Sequence, residues 1–195
     1  NSFYGYQVDG IIQEMPDNPV SLTSAGELNY IGLNSDGTLN SNARTIIGDP
    51  NPDFTSSFNL QLRHQSGFDL SILLYLVYGR DIFSTRRLNR PSLEEKRWTA
   101  ENPNNKYPSL RSTRQYFASS WFIEDGSFFR IKNITLGYTL PEISFLQKGR
   151  AYINVSNPFT FSKTTEYDPE VGENGRGGTP YPRVMMLTAG LEFQF

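Results

Sequence analysis

Three carboxylates, Asp168, Glu170 and Glu173, are grouped in a glycine-rich stretch of the chain. A pair of carboxylates hydrolyses a glycosidic bond when rigid elements hold the two groups on either side of that bond. A glycine-rich loop does not hold side chains in this way, and these glycines lack the Gly-Lys-Ser/Thr ending of a phosphate-binding loop. We therefore expect no catalytic residues and no enzymatic activity.

Residues that bind metals or act as nucleophiles are scarce. The sequence of 195 residues has no cysteine and one histidine, His64, which excludes thiolate sites and multi-histidine sites. The stretch 32–43 has Asp36 at the spacing of an EF-hand-type calcium loop, but Gly32 and Ala43 stand at its first and twelfth positions, where strong ligands belong. We predict a polar turn there, with no metal and no cofactor.

The charge balance and the aromatic content restrict the partners. The chain has 18 basic and 20 acidic side chains, and near neutrality argues against binding to a phosphate backbone, so we expect no nucleic-acid partner. The 14 Phe, 11 Tyr and 2 Trp residues favour β-structure. Trp98, Tyr107 and Trp121 lie in one connection and are candidates for stacking on sugar rings; an aromatic girdle and a loop core are the alternatives.

The elements that carry these side chains are strands. Apolar and polar residues alternate with period two over five segments, which is typical of strands with one apolar face. The five segments are 54–62, 68–78, 128–139, 151–161 and 184–195. A sixth, weaker candidate is 3–12, whose Phe3, Tyr4 and Tyr6 are candidates for an interfacial aromatic belt.

Two of these strands contain irregularities. The alternation changes phase near Lys132 and Asn133, where we expect a β-bulge. Pro158 cannot donate a hydrogen bond to a ladder, so we expect its strand either to end or to bulge there. Arg130 and Lys132 share one face of their strand, and a position in a lumen would keep their charges out of lipid. We expect them to form ion pairs between a barrel wall and a plug.

The strands, rather than helices, are the candidates for crossing a membrane. The longest apolar run, Ile72–Tyr78, is seven residues, whereas a spanning helix needs about 20, so membrane helices are excluded. A spanning strand needs only about 10 residues of alternating polarity. The connections between the predicted strands are about 41, 5, 49, 11 and 22 residues long, and this alternation of long and short is typical of outer-membrane barrels, with long external loops and short periplasmic turns. Six strands do not close a wide barrel, so a larger sheet is expected.

The motifs of this chain resemble those of SusC/RagA-type TonB-linked outer-membrane transporters, and the resemblance covers essentially the whole chain. The blocks that carry it, in order, are YGYQVDGIIQ, TIIGDPNPDF, GFDLSILLYLVYGRDIF, RWTAENPNNKYPSL, FIEDGSFFRIKNITLGYTLP, FTFSKTTEYDPEV and YPRVMMLTAGLEFQF. The resemblance implies an all-β fold in which residues 1–195 form the carboxy-terminal part of an antiparallel transmembrane barrel, about six of its 22 strands, without the plug domain.

The resemblance also implies a function and partners. These are import of glycan or peptide fragments across the outer membrane of a Bacteroidetes-type bacterium, a SusD-like surface lipoprotein that caps the external face, TonB acting through the plug region, and outer-membrane lipid around the wall. Leu191, Phe193 and Phe195 resemble the terminal signal that barrel-assembly machinery recognises in outer-membrane proteins.

A second interpretation belongs to another class of protein. A secreted, soluble β-sandwich that binds carbohydrate through Trp98, Trp121 and nearby tyrosines would also contain alternating strands. The two interpretations differ in solubility, because the sandwich needs no detergent and the barrel segment does.

Overall fold

The computed structural model describes residues 2–17, 21–89, 95–110, 116–141, 148–166, 168–172, 174–177 and 181–194. These residues are predominantly β, as the sequence predicts. The strands are β1 (Phe3–Gly5), β2 (Val8–Ile11), β3 (Leu28–Tyr30), β4 (Thr45–Gly48), β5 (Phe54–Arg63), β6 (Phe68–Tyr78), β7 (Asp81–Phe83), β8 (Ile123–Asp125), β9 (Phe128–Leu140), β10 (Lys148–Ser162) and β11 (Met186–Gln194). Helical structure consists of α1 (Arg86–Asn89) and the 3₁₀ turns Ser41–Ala43 and Ser120–Phe122. In this part of the chain, no helix is long and apolar enough to cross a membrane.

The chain divides into two compact units. The sheet unit consists of Pro52–Arg80, Gly126–Glu170 and Thr179–Phe195, and the connection unit consists of Asn1–Asn51, Asp81–Asp125 and Val171–Gly178. The connection unit therefore contains most of the segments that the sequence predicts to be long loops.

The sheet unit contains one antiparallel sheet of five strands in the order β11-β10-β9-β6-β5. All five segments of period-two alternation are confirmed as its strands, and the predicted bounds of β6 are those observed. A tight turn joins β5 to β6, with the His64 N–H donating to the Phe68 carbonyl at 2.8 Å. Gly67 in this turn has φ +95° and lies where a Cβ would be 2.6 Å from the Thr139 carbonyl oxygen, so the turn requires glycine.

The bulge predicted near Lys132 is confirmed, Pro158 lies at a bulge and not at a strand end, and the two bulges lie at the same level of the sheet. Asn133 pairs with Leu73 and Ile131 with Leu74, so Lys132 is an extra residue of β9 on the side facing β6. On the other side of β9, the ladder to β10 skips from Ser156 to Phe159. Asn157, next to Pro158, has φ +51°, which is the left-handed backbone that bulges often contain.

The prediction of a sixth strand over 3–12 in this sheet is wrong. Residues 3–11 form two short strands that pair elsewhere: β1 with β4 and β2 with β3, each as a two-stranded sheet of the connection unit. Phe3 and Tyr6 are 6% and 7% exposed. They are core residues of that unit and not members of an interfacial belt, because β1 and β2 pair with β4 and β3 and not with the five-stranded sheet.

The predicted long connections contain short strands and 3₁₀ turns. The connection unit has its own hydrophobic core, formed by Tyr6, Ile11, Leu28, Tyr30, Trp121 and Phe122. Tyr6, Tyr30 and Phe117 meet edge to face, with ring centroids 6.0–6.3 Å apart. Aromatic side chains from segments far apart in the sequence thus hold these connections together.

Candidate functional site

The five-stranded sheet has one continuous apolar face. Residues directly opposite one another in adjacent strands share a face, so the strand register assigns each side chain. The apolar face consists of Phe54, Phe58, Leu60 and Leu62 on β5, Phe68, Leu70, Ile72, Leu74, Leu76 and Tyr78 on β6, Phe129, Ile131, Ile134, Leu136 and Tyr138 on β9, Ala151, Ile153, Val155, Phe159 and Phe161 on β10, and Leu187, Ala189, Leu191 and Phe193 on β11. Much of it is open: Phe58 is 58% exposed, Ile153 52% and Leu187 69%.

Aromatic and aliphatic residues are segregated along this face. At the end of the long connections, Phe54 packs on Tyr78 with centroids 5.4 Å apart, and Phe129 stacks on Phe161 at 6.2 Å. At the end of the tight turn, Phe68 packs on Tyr138 at 4.8 Å. The two middle rows are entirely aliphatic; they are Leu60, Ile72, Ile134, Val155 and Leu187, then Leu62, Leu70, Leu136, Ile153 and Ala189.

The dimensions of the face match a bilayer core. The ten residue steps of β6 span about 33 Å at about 3.3 Å per residue, and a strand tilt of about 40° reduces this to about 25 Å along the membrane normal. An apolar band about 25 Å tall between aromatic girdles is what a barrel wall presents to lipid.

The opposite face of the sheet, the polar face, has a hydrogen-bonded network of amides and hydroxyls at its centre. The Asn154 amide donates to Asn133 Oδ1 at 2.6 Å and to Thr135 Oγ1 at 2.8 Å, and the Ser156 hydroxyl donates to Asn154 Oδ1 at 3.0 Å. Thr135 also donates to Asn133 at 2.9 Å. This network links β9 to β10 and presents hydrophilic groups, as a water-filled lumen requires.

An ion pair crosses the polar face near the tight turn. Arg150 on β10 donates to both carboxylate oxygens of Asp69 on β6, at 3.1 and 2.8 Å. The pair passes over Gly137 on β9, where a Cβ would be 2.5 Å from Asp69 Oδ1. Gly190 on β11 leaves similar room for the ring of Tyr152, which lies beneath the Arg150 guanidinium at 5.3 Å. The two glycines thus let long side chains lie flat against the sheet.

A second charge cluster lies on the polar face at the end of the long connections. Arg130, 1% exposed, donates through Nη2 to Asp168 at 2.6 Å, through Nη1 to Glu170 at 2.7 Å and through Nε to Thr160 Oγ1 at 2.9 Å. Lys132 lies 3.4 Å from Glu170 and 4.1 Å from the centroid of the Tyr75 ring. The structure therefore places Arg130 and Lys132 on one face, as predicted, but their carboxylate partners belong to this chain and not to a plug.

The electrostatics of this cluster favour the ionised carboxylate. Burial raises the pKa of Asp168, but hydrogen bonds from the Glu170 N–H, the Arg130 guanidinium and the Arg183 N–H outweigh that effect and hold its pKa below the ordinary value. Asp168 and Glu170 thus form ion pairs with arginine, and Glu173 lies outside the described residues.

The three loop aromatics belong to the connection unit. Trp121 is 8% exposed within its core, with the Arg87 guanidinium 4.7 Å from the ring centroid and Nε1 donating to the Lys106 carbonyl at 2.9 Å. This environment favours the core role for Trp121. Trp98 and Tyr107 are partly buried, and Trp98 Nε1 donates to the Gln13 side chain at 2.9 Å.

The residues of the predicted assembly signal and of the predicted polar turn are placed as follows. Leu191 and Phe193 lie on the apolar face of β11, 66% and 51% exposed, and Phe195 lies outside the described residues. Asp36 accepts hydrogen bonds from the Thr38 N–H and hydroxyl at 2.9 and 2.6 Å, which makes a polar turn. The side-chain hydrogen bonds of Thr38 lower the pKa of Asp36.

Sequence reasoning predicted ion pairs for Arg130 and Lys132 but missed their partners Asp168 and Glu170, and it missed the pair between Asp69 and Arg150. The partners are far apart in the sequence: Arg130 and Asp168 by 38 positions and Arg150 and Asp69 by 81. A signal was present, because both arginines occupy positions of the polar face and a glycine, Gly137, lies opposite Asp69 in β9.

Comparisons with known proteins find sequence relatives that match the whole chain. The chain matches no family model. TonB-dependent receptor P3 of Formosa agariphila is 33% identical over the whole chain, which covers 22% of that receptor. TonB-dependent receptor SusC of Bacteroides thetaiotaomicron is 29% identical, again over the whole chain, which covers 19% of SusC. The chain thus spans about one fifth of the length of these curated relatives.

Solved structures show the same fold. A structure of the RagAB peptide importer in the open-open state superposes on the whole chain with a TM-score of 0.79 at 22% identity, and the chain covers 22% of the matched polypeptide. A structure of the RagAB peptide transporter gives the same TM-score at 23% identity and 23% coverage. The fold is therefore that of a segment of these larger polypeptides.

The sequence relatives confirm the resemblance that the motifs predict. Along its whole length the chain is similar to a segment of TonB-dependent receptors of the SusC/RagA type.

Proposed function

We propose that this chain forms part of the wall of an outer-membrane TonB-dependent transporter that imports glycan or peptide fragments together with a SusD-like lipoprotein. The observation that carries the proposal is the pair of opposite faces on one antiparallel sheet: an exposed apolar face with aromatic ends, and a hydrogen-bonded polar face. Lipid covers the first and the permeation path adjoins the second.

The size of the apolar face supports contact with lipid. Five strands about 4.8 Å apart make it about 20 Å wide, so with a height of about 25 Å its projected area is about 500 Å². A patch of that size is at the upper end of what soluble monomers expose to water. In the proposed location lipid covers the apolar face, and contact of apolar side chains with lipid carries no unfavourable free energy.

The edges of the sheet support a larger barrel. In the part of the chain that the structure describes, the outer edges of β5 and β11 pair with no further strand. Unpaired backbone groups are too costly in a bilayer core, so other strands of the receptor must continue the sheet at both edges. Accordingly, we propose that residues 1–195 are the carboxy-terminal part of a barrel of about 22 strands, with the plug that TonB contacts elsewhere in the receptor.

The family supports the location and the partners. SusC and the RagAB importers are the proteins that this chain resembles, and on that basis we assign it to the outer membrane of a Bacteroidetes-type bacterium. Leu191, Phe193 and Phe195 are the proposed assembly signal. Trp98 and Tyr107 are the proposed substrate contacts, because both keep part of their rings accessible.

The alternative, a soluble carbohydrate-binding sandwich, needs a second sheet against the apolar face. Within the described residues, the side chains that such a sheet would cover are open: Leu136 is 50% exposed and Leu191 66%. The structure thus favours the transporter over the sandwich.

The test uses the full-length receptor in its own cells. We expect it in the outer-membrane fraction, soluble only in detergent, and with a gel mobility that changes on boiling because the closed barrel unfolds. A protein that is soluble without detergent and indifferent to boiling would contradict the proposal. Trp98→Ala and Tyr107→Ala should then reduce glycan or peptide uptake without changing the boiled and unboiled mobilities.

A further inference from the structure

The connection between β10 and β11 has a defined base on the polar face. We call residues 168–170 and 181–185 the strap base; both segments belong to the sheet unit. Asp168 and Glu170, from the first segment, bind Arg130 of β9 at 2.6 and 2.7 Å. Because Arg130 and its pairing partner Thr160 both project from the polar face, the strap base lies against that face.

The two segments of the strap base are also tied to each other. The Arg183 N–H donates to Asp168 Oδ2 at 3.1 Å, and the Arg183 guanidinium lies 3.2 Å from Glu170 Oε1. Asp168 also accepts the Glu170 N–H at 2.8 Å. The chain that leaves β10 and the chain that returns to β11 are thus joined at one point.

Burial makes this junction strong. The side chains of Arg130 and Asp168 are 1% and 6% exposed, and Glu170 is 23% exposed. Hydrogen bonds between charged groups that are shielded from water are stronger than neutral ones and less sensitive to salt. Freeing the strap base therefore requires the buried Asp168 and the partly exposed Glu170 to leave one arginine.

We propose that Arg130 is a positioning residue that holds the strap base against the polar face inside the barrel, so that residues 168–170 and 181–185 line the external entrance of the permeation path. This inference rests on the proposed function, since the polar face adjoins the lumen only if the sheet is a barrel wall. It makes Glu170, Lys132 and Arg183, which retain partial exposure, charged groups that face the solute.

The experiment measures access to the strap base from outside the cell. A cysteine replaces Tyr181 in the full-length receptor, because Tyr181 belongs to the strap base and is 89% exposed. Intact cells are treated with a small membrane-impermeant maleimide and, separately, with a bulky polymer-linked maleimide. With Arg130 present, we expect the small reagent to react and the bulky one to react slowly, because the entrance restricts its access.

A neutral triple variant releases the strap base without leaving a buried charge. It combines Arg130→Met, Asp168→Asn and Glu170→Gln, since removal of arginine alone would strand two carboxylates. We expect the bulky reagent to react roughly tenfold faster or more in this background, because loss of several charged hydrogen bonds raises the open population by at least that factor. Arg183→Gln, which removes only the more exposed ion pair, should give a smaller increase.

A matched control removes the other ion pair of the polar face. The double variant Asp69→Asn with Arg150→Met should leave both labelling rates unchanged, because it lies at the opposite end of the sheet from the strap base. Equal bulky-reagent rates in the parent and the neutral triple variant would overturn the strap proposal. Failure of both reagents to label any intact cells would instead overturn the outer-membrane location on which it rests.

Discussion

Replacement of Leu187 by arginine tests whether the apolar face contacts lipid. Leu187 lies on β11 in a middle, entirely aliphatic row of the face, and it is 69% exposed. In a bilayer, arginine at this depth costs about 2–4 kcal/mol of unfolding free energy. The cost arises from placing a charged guanidinium in hydrocarbon.

The expected cost in water is much smaller. Burial of a whole leucine side chain is worth about 1.5–3 kcal/mol. Because less than a third of Leu187 is covered in this sheet, its replacement would cost under about 1 kcal/mol, and the stem of arginine would recover some of that. The expected loss of unfolding free energy in a bilayer therefore exceeds the expected loss in water by more than the error of a denaturation experiment.

The assay is reversible denaturant unfolding of the full-length receptor in lipid vesicles. Thr188→Arg is the matched control, because it places the same charge one residue further along β11 on the polar face, where we expect a change within about 0.5 kcal/mol. Phe193→Arg, near the end of the apolar face, should cost about 0–1 kcal/mol. Equal losses for Leu187→Arg and Thr188→Arg would refute the assignment of the faces.

Three further predictions concern the sheet unit. Arg130→Met should destabilise the receptor by about 3–5 kcal/mol, because the buried Asp168 and the partly exposed Glu170 lose their partner, and the neutral triple variant should recover much of this loss in the same denaturant assay. Gly67→Ala should lower the unfolding midpoint more than Gly137→Ala, since a Cβ at Gly67 meets a backbone carbonyl at positive φ, whereas at Gly137 it meets only the ends of an ion pair; equal effects would contradict the steric reasoning. The pKa of Asp168 is lowered in the fold, so its contribution to stability is present above the unfolded pKa of about 3.9 and lost as the pH falls through the lower folded value. The amides of Glu170 and Arg183 should therefore stay protected against hydrogen exchange down to about pH 4, relative to the intrinsic exchange rate at each pH, and lose this protection only below it.

The strands of the sheet unit were predictable because their signal is local. Each alternates in polarity over nine or more residues, and the break in alternation at Lys132 marked the bulge before any partner strand was known. Face assignment follows from the same pattern, since the side-chain period of a strand is two.

The connection unit was not predictable in this way. Strands such as β3 and β7 have only three residues, which is too short for an alternation of polarity to be recognised, so neighbouring segments decide whether they pair. The burial of Trp121 likewise depends on Tyr6 and Leu28, which are far away in the sequence. The hydrogen bonds from Arg130 to Thr160 and Asp168 were unpredictable for the same reason, because they form only after β9, β10 and the chain that follows β10 have come together.

The most direct test of the central claim is a spin-label scan of β11 in the membrane-embedded receptor. Cysteines introduced singly at positions 186–193 carry the label, and collision rates are measured with oxygen, which dissolves in lipid, and with a water-soluble nickel complex. Oxygen access should peak at 187, 189, 191 and 193 and nickel access at the positions between them. Oxygen maxima at the even positions, or no alternation, would contradict the claim that this sheet separates lipid from a permeation path.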